Sequence, residues 1–124
     1  MELSPQVVTA LLEAKNKALA TTGKHGLNVV PVSTVRVINN KILLMNYFLK
    51  KTLENILEQP RVAFVFWSGL EGYQIKGSVE YRDSGDVFEE AKKWVEDNVA
   101  DRTLVGLLIL TPEEMYNVSP GASQ

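Results

Sequence analysis

The chain has 124 residues, 45% of them apolar, a formal net charge of −2, one histidine and no cysteine. That length suits a single domain over residues 1–124 with a real hydrophobic core. The missing cysteine excludes disulfides, thiolate metal sites, iron–sulfur clusters and a cysteine nucleophile, and a lone His25 is too little for a histidine-based triad or a typical zinc site.

The slightly acidic balance makes any basic site local rather than a general polyanion surface. No signal-peptide pattern and no apolar run of 18 or more residues is present, so the expectation is a cytoplasmic protein with no membrane partner.

Ser4-Pro5 opens a first helix, with serine as the cap and proline in the first turn, where its missing N–H costs nothing. Leu3 and Val8 are spaced as a hydrophobic staple, and Val8, Leu11 and Leu12 form the expected buried face. Residues 18–22 read as a strand, followed by the polar turn Gly23-Lys24-His25-Gly26. Residues 27–38 read as one long strand, rich in valine and interrupted by Pro31, which marks an edge or a bulge because proline cannot donate to the ladder. Asn39-Asn40 turns the chain tightly into a strand over residues 41–46.

The stretch from Asn46 to Pro60 carries the most chemistry. After Asn46, Tyr47 and Phe48 the chain enters a short helix with an expected stripe of Leu53, Ile56 and Leu57, ended by Pro60. Lys50, Lys51 and Thr52 fall at its N-terminal end, where a cation opposes the helix dipole by roughly 0.3–1 kcal/mol. An anion reverses that sign, since backbone N–H groups, two ammonium groups and a hydroxyl would converge on one phosphate. The plainer alternative is solvated lysines beside a Thr52 N-cap.

Residues 61–67, R-V-A-F-V-F-W, lack alternation and read as a strand buried on both faces, one toward a barrel interior and the other toward a helix or another subunit. Residues 72–82 alternate cleanly, with Tyr73, Ile75, Gly77, Val79 and Tyr81 on one side. A helix starting at Asp86 with Glu89 as a capping box carries the stripe Val87, Phe88, Ala91, Trp94 and Val95. Residues 104–111 give a last strand, Thr111-Pro112-Glu113-Glu114 could start one helical turn, and the remainder reads as irregular. The sum is a mainly β chain with helices (α+β), a six-stranded antiparallel barrel.

Neither G-x-x-x-x-G-K-[ST] nor G-x-G-x-x-G occurs, and no carboxylate pair or serine–histidine arrangement stands out. What remains is a monophosphate-sized anion site beside an aromatic, apolar strand end, suited to a flat ligand with one phosphate.

The order G-x-x-x-V-P-V-S-T, hairpin, strand, K-K-T-x-x-N-I, P-R-V-A-F and Y-Q-I-K-G-S-V-E-Y resembles the FMN-binding split-barrel family, the pyridoxamine 5'-phosphate oxidase-like flavoproteins and their small single-domain members. The resemblance implies a split barrel that binds FMN at a homodimer interface. It assigns the phosphate to Lys51 and Thr52 with Lys50 in support, places Asn46, Tyr47 and Phe48 along the ring and ribityl chain, and gives Pro31, Val32 and Ser33 as backbone contacts to the flavin ring. It further implies a small-molecule redox partner or substrate.

The sequence stops soon after Ser119-Pro120-Gly121, without the longer segment that supplies substrate-binding arginine and histidine in the pyridoxamine phosphate oxidases, so that activity is disfavoured. No residue is assigned as catalytic; in flavoproteins the cofactor carries the redox chemistry. Two alternatives stand beside this reading. One is a reductase of the same fold with a deazaflavin cofactor. The other is a barrel for single-stranded nucleic acid that uses Lys50, Lys51 and Arg61 with Tyr47, Phe48 and Trp67, against which the net negative charge weighs.

Overall fold

A computed structural model describes residues 1–47 and 49–122. The first helix, α1 (Pro5–Glu13), is capped by Ser4, whose hydroxyl accepts the Val7 N–H at 3.2 Å. Its buried side is Val7 and Leu11, continued by Leu3 and Ala14, while Val8 is half-buried and Leu12 is 53% exposed. The expected face was therefore rotated. The helix is too short for periodicity to choose between neighbouring stripes, and Leu3 before it fixes the choice.

Seven strands follow, one more than expected: β1 (Asn16–Thr21), β2 (Asn28–Pro31), β3 (Val35–Ile38), β4 (Lys41–Asn46), β5 (Arg61–Ser68), β6 (Glu71–Arg82) and β7 (Gly106–Asn117). They form one antiparallel sheet in the order β2-β1-β5-β6-β7-β4-β3. The extra strand arises because residues 27–38 are two strands. β2 pairs with β1 and β3 pairs with β4, at opposite edges of the sheet. Pro31 ends β2, and the chain crosses between the edges through Val32-Ser33-Thr34.

Asn39 and Asn40 both have positive φ, 51° and 60°, so the β3–β4 hairpin has the two-residue turn that matches strand twist. Asn40 also accepts the Leu3 N–H at 2.7 Å, which docks the start of the chain on this turn.

β5 does alternate. Val62, Phe64 and Phe66 are buried, while Ala63, Val65 and Trp67 are only half-buried on the opposite face. β7 runs on through Pro112 to Asn117 rather than entering a helical turn. The register slips at Lys76/Gly77, where Lys76 faces Glu114 and Gly77 faces Pro112. A Cβ at Gly77 would overlap the Thr111 carbonyl oxygen, so glycine is what lets the bulged strand come this close.

The barrel interior joins Leu11 of α1, Leu19, Ile42, Phe64, Phe66, Ile75 and Leu110 in one apolar cluster. A second cluster lies outside, where α3 (Asp86–Asn98) lays Phe88, Ala91 and Val95 on Leu43, Met45 and Leu107. The cap of α3 is Gly85 at φ 93°, not Asp86. No side chain caps it, and Val87 is 51% exposed rather than part of the stripe. The middle helix, α2 (Lys50–Glu58), buries Thr52, Asn55 and Ile56, and Leu57 is 67% exposed. Polar side chains thus hold positions that hydrophobicity alone assigned to leucines.

Candidate functional site

The crossing from β2 to β3 builds the site. The Val32 N–H extends the β1 ladder by donating to the Lys17 carbonyl at 2.9 Å, and the Thr34 carbonyl extends the β4 ladder by accepting the Met45 N–H at 3.2 Å. Ser33 is the single residue between those two bonds, and it is exposed. Where the sheet edges part, a cleft of about 810 Å³ opens. Val29, Pro31, Val32, Met45 and Trp67 give it mostly apolar walls, and Lys15, Lys17, Tyr47, Leu49 and Arg102 complete much of the rest. The Tyr47 hydroxyl is 2.9 Å from Thr34 Oγ1, which ties the β4 exit to the crossing.

Pro31, Val32, Ser33 and Tyr47 of the expected set therefore line one cleft. Asn46 stands behind it, buried. Its Oδ1 accepts the Leu49 N–H at 2.6 Å and its carbonyl accepts the Val105 N–H at 2.9 Å, so it shapes the turn into α2. Leu49, the N-cap residue of α2, reaches the cleft wall, while Lys50 and Lys51 are exposed at the adjoining helix start. No side chain caps that helix, and among the described residues neither lysine makes an ion pair.

Thr52 is not the N-cap. It is 1% exposed, faces inward, and its Oγ1 accepts from Asn28 Nδ2 at 3.1 Å. Phe48 lies outside the described residues.

Sequence reasoning missed Lys15, Lys17 and Arg102, and assigned Trp67 only to the nucleic-acid alternative. The K-N-K run that leads into β1 was a usable signal, and Asn16 pairs directly with Trp67 across the strands. Arg102 belongs to an irregular connection and carried no signal. Arg61, the further basic residue of that alternative, pairs with Glu113 at 2.7 Å.

On α2, hydrogen bonding from His25 and then from Lys24 holds Glu54 below the ordinary glutamate range. Among the described residues no group of three or more His, Cys, Asp or Glu is arranged to hold a metal ion, and no helix is long and apolar enough to cross a membrane.

The seven strands and the cleft at the parted sheet edges define a split-barrel domain. A sequence profile described as pyridoxamine 5'-phosphate oxidase matches residues 3–119, and the chain belongs to that family.

An uncharacterised protein of Methanocaldococcus jannaschii is 29% identical over 98% of this chain and 84% of its own length. Among solved structures, an FMN-binding protein from Syntrophomonas wolfei superposes with a TM-score of 0.79 at 18% identity, covering 91% of this chain and 84% of that one. HutZ, the heme storage protein from Vibrio cholerae, superposes with a TM-score of 0.72 at 13% identity, covering 94% of each chain. At these identities both structures speak for the fold alone.

Proposed function

We infer that the chain is an FMN-binding flavoprotein with a redox role, a flavin-dependent reductase or an electron carrier, working as a homodimer with the flavin at its interface. The observation that carries this reading is continuity. The apolar cleft ends at Leu49, where a helix begins with no side-chain cap and with two lysines that, among the described residues, make no ion pair. A flat ring with a phosphate on a flexible chain matches that pair of features, and the likeness to an FMN-binding protein supports it.

In this reading Lys50, Lys51 and the first-turn amides of α2 hold the phosphate. Thr52, expected beside Lys51 at the phosphate, is buried and in this reading fixes the helix start against Asn28 instead, and the backbone of Pro31, Val32 and Ser33 meets the ring edge. Tyr47 closes the β4 side, and Phe48 belongs to the same set. Bound FMN would supply reversible electron or hydride transfer, and the chain would orient it and exclude water. Support for the dimer comes from the half-buried Val65 and Trp67 beside the cleft and from Val29, which is 68% exposed.

The likeness to HutZ supports a heme reading. The lone histidine weighs against it: the His25 ring is 3.4 Å from Glu54 and is not part of the cleft wall.

One measurement decides between these and the deazaflavin alternative: the absorbance spectrum of the purified protein together with the mass of the ligand released on denaturation. A flavin spectrum and the mass of FMN are expected. A Soret band, a deazaflavin spectrum or a colourless protein that fails to bind added FMN would overturn the reading.

A further inference from the structure

A second cavity, separate from the cleft, lies between α1, the β5–β6 hairpin and the end of β7. Its volume of about 530 Å³ is in the range of small-molecule sites. Gln6, Thr9, Ala10 and Glu13 line it from α1, and their spacing sets them on one face of the helix. Opposite them, Trp67 and Tyr73 offer half-buried aromatic surface from β5 and β6, and Glu71 stands at the start of β6.

Backbone bonds fix this wall. The Gly72 N–H donates to Ser119 Oγ at 3.1 Å, the Val118 N–H donates to the Gly72 carbonyl at 3.0 Å, and Asn117 Oδ1 accepts the Ser119 N–H at 2.9 Å. Those bonds occupy the side-chain oxygens of Asn117 and Ser119 and leave the two carboxylates as the strong acceptors. Among the described residues Glu13 and Glu71 make no ion pair, whereas Glu54, Glu80, Glu90 and Glu113 each have a basic partner.

No lysine, arginine or histidine lines this cavity among the described residues, and Lys15, just beyond Glu13, belongs to the wall of the other cleft. Carboxylates beside aromatic faces repel anions and attract a cation, which the ring quadrupole also favours. Trp67 is the one described residue common to both walls, so it reports on this cavity directly.

We propose that the second cavity binds a small organic cation, an ammonium or guanidinium group on a compact apolar body, with Glu13 and Glu71 as its counter-charges and Trp67 and Tyr73 as its aromatic wall. The proposal does not rest on the flavin reading.

The test uses the protein as purified, with whatever cofactor it carries, labelled with nitrogen-15 at its indole groups. The chain has two tryptophans, and Trp94 sits on α3 against Arg36, outside this wall. Benzylammonium should move the Trp67 indole signal saturably, leave that of Trp94 still, and bind about tenfold more tightly than benzyl alcohol, a preference that salt reduces. Glu13→Gln and Glu71→Gln, both at exposed positions, should each weaken the ammonium about threefold and leave the alcohol unchanged.

Thr9→Lys sets a built-in ammonium on the same helix face and should abolish the preference, while Thr9→Met, of similar length, should keep it. Melting curves confirm that each variant folds. No saturable shift, equal affinity for ammonium and alcohol, or glutamate variants without effect would overturn the proposal. So would a Trp67 response that persists in Thr9→Lys, because it would put the cation in the other cleft.

Discussion

Asn55 Oδ1 accepts the backbone N–H of His25 at 2.8 Å, joining α2 to the turn between β1 and β2. Asn55 Nδ2 donates to Gly26 O at 3.0 Å and to Thr21 Oγ1 at 3.2 Å, so one side chain, 0% exposed, holds two points of that turn and the end of β1. Gly23 makes the approach possible, since a Cβ there would stand 2.9 Å from the Asn55 carbonyl oxygen. This clasp sets the rotation of α2, turning Leu57 outward and keeping the helix start beside the cleft.

Asn55→Leu is expected to destabilise the fold by about 2–4 kcal/mol, because the buried bond to Thr21 Oγ1 and two part-buried bonds, with the His25 N–H and the Gly26 carbonyl, are lost at roughly 1 kcal/mol each. Urea unfolding at neutral pH checks it; a change under about 0.5 kcal/mol would show that water replaces the clasp.

Lys51→Ala is expected to weaken FMN by one to two decades, the loss of a charge-assisted contact of roughly 1.5–3 kcal/mol. Riboflavin, lacking the phosphate, should be nearly indifferent, and the cofactor-free protein should melt slightly higher because a cation leaves the positive end of a helix dipole. Fluorescence titration of both flavins with apo melting curves tests this. Equal loss for the two flavins would place the phosphate elsewhere.

Acid should loosen the same region. Glu54 has its folded pKa depressed below the ordinary 4.5 by its hydrogen bonds with His25 and then Lys24, so those contacts stabilise the fold above that value. That contribution fades as pH falls from about 4.5 through the lower folded value. Being solvent-screened, the effect should be small and salt-sensitive. Melting curves of wild type and Glu54→Gln should differ near neutral pH and converge in acid; curves that stay parallel would rule the pairs out.

Light scattering at micromolar concentration should report twice the chain mass. Val65→Lys, on the half-buried face of β5, should shift the protein toward monomer and weaken FMN together. A monomer that holds FMN with undiminished affinity would separate the cleft from any subunit contact.

Much of the strand pattern was legible because alternation and turn chemistry are local. β6 and the Asn39-Asn40 hairpin are where periodicity and tolerance of positive φ placed them. The failures were non-local. Thr111-Pro112-Glu113-Glu114 has the look of a helix start, and only the opposing Gly77 makes it a bulged strand. Residues 27–38 read as continuous because nothing in their own chemistry says that Val32 will bond to β1 and Thr34 to β4.

The site divides the same way. Backbone contributors at 31–33 and the lysine pair lie within short motifs, whereas Arg102 meets Lys15 and Lys17 only after the sheet has curled. Thr52 and Asn55 were obscured because buried polar side chains look like surface residues until their partners are known.

The place of β7 in the sheet has a consequence for how the chain acquires its shape. Among the described residues the β3–β4 hairpin is hydrogen-bonded to the other strands only through β7, which inserts between β6 and β4. On a nascent chain emerging from its N-terminus, residues 106–117 come after every other strand. Until they are made, the two parts of the sheet present unpaired edges and the outer apolar cluster lacks Leu107. Such a chain closes late, by long-range pairing, and is most prone to mispairing with its neighbours just before synthesis of its final strand.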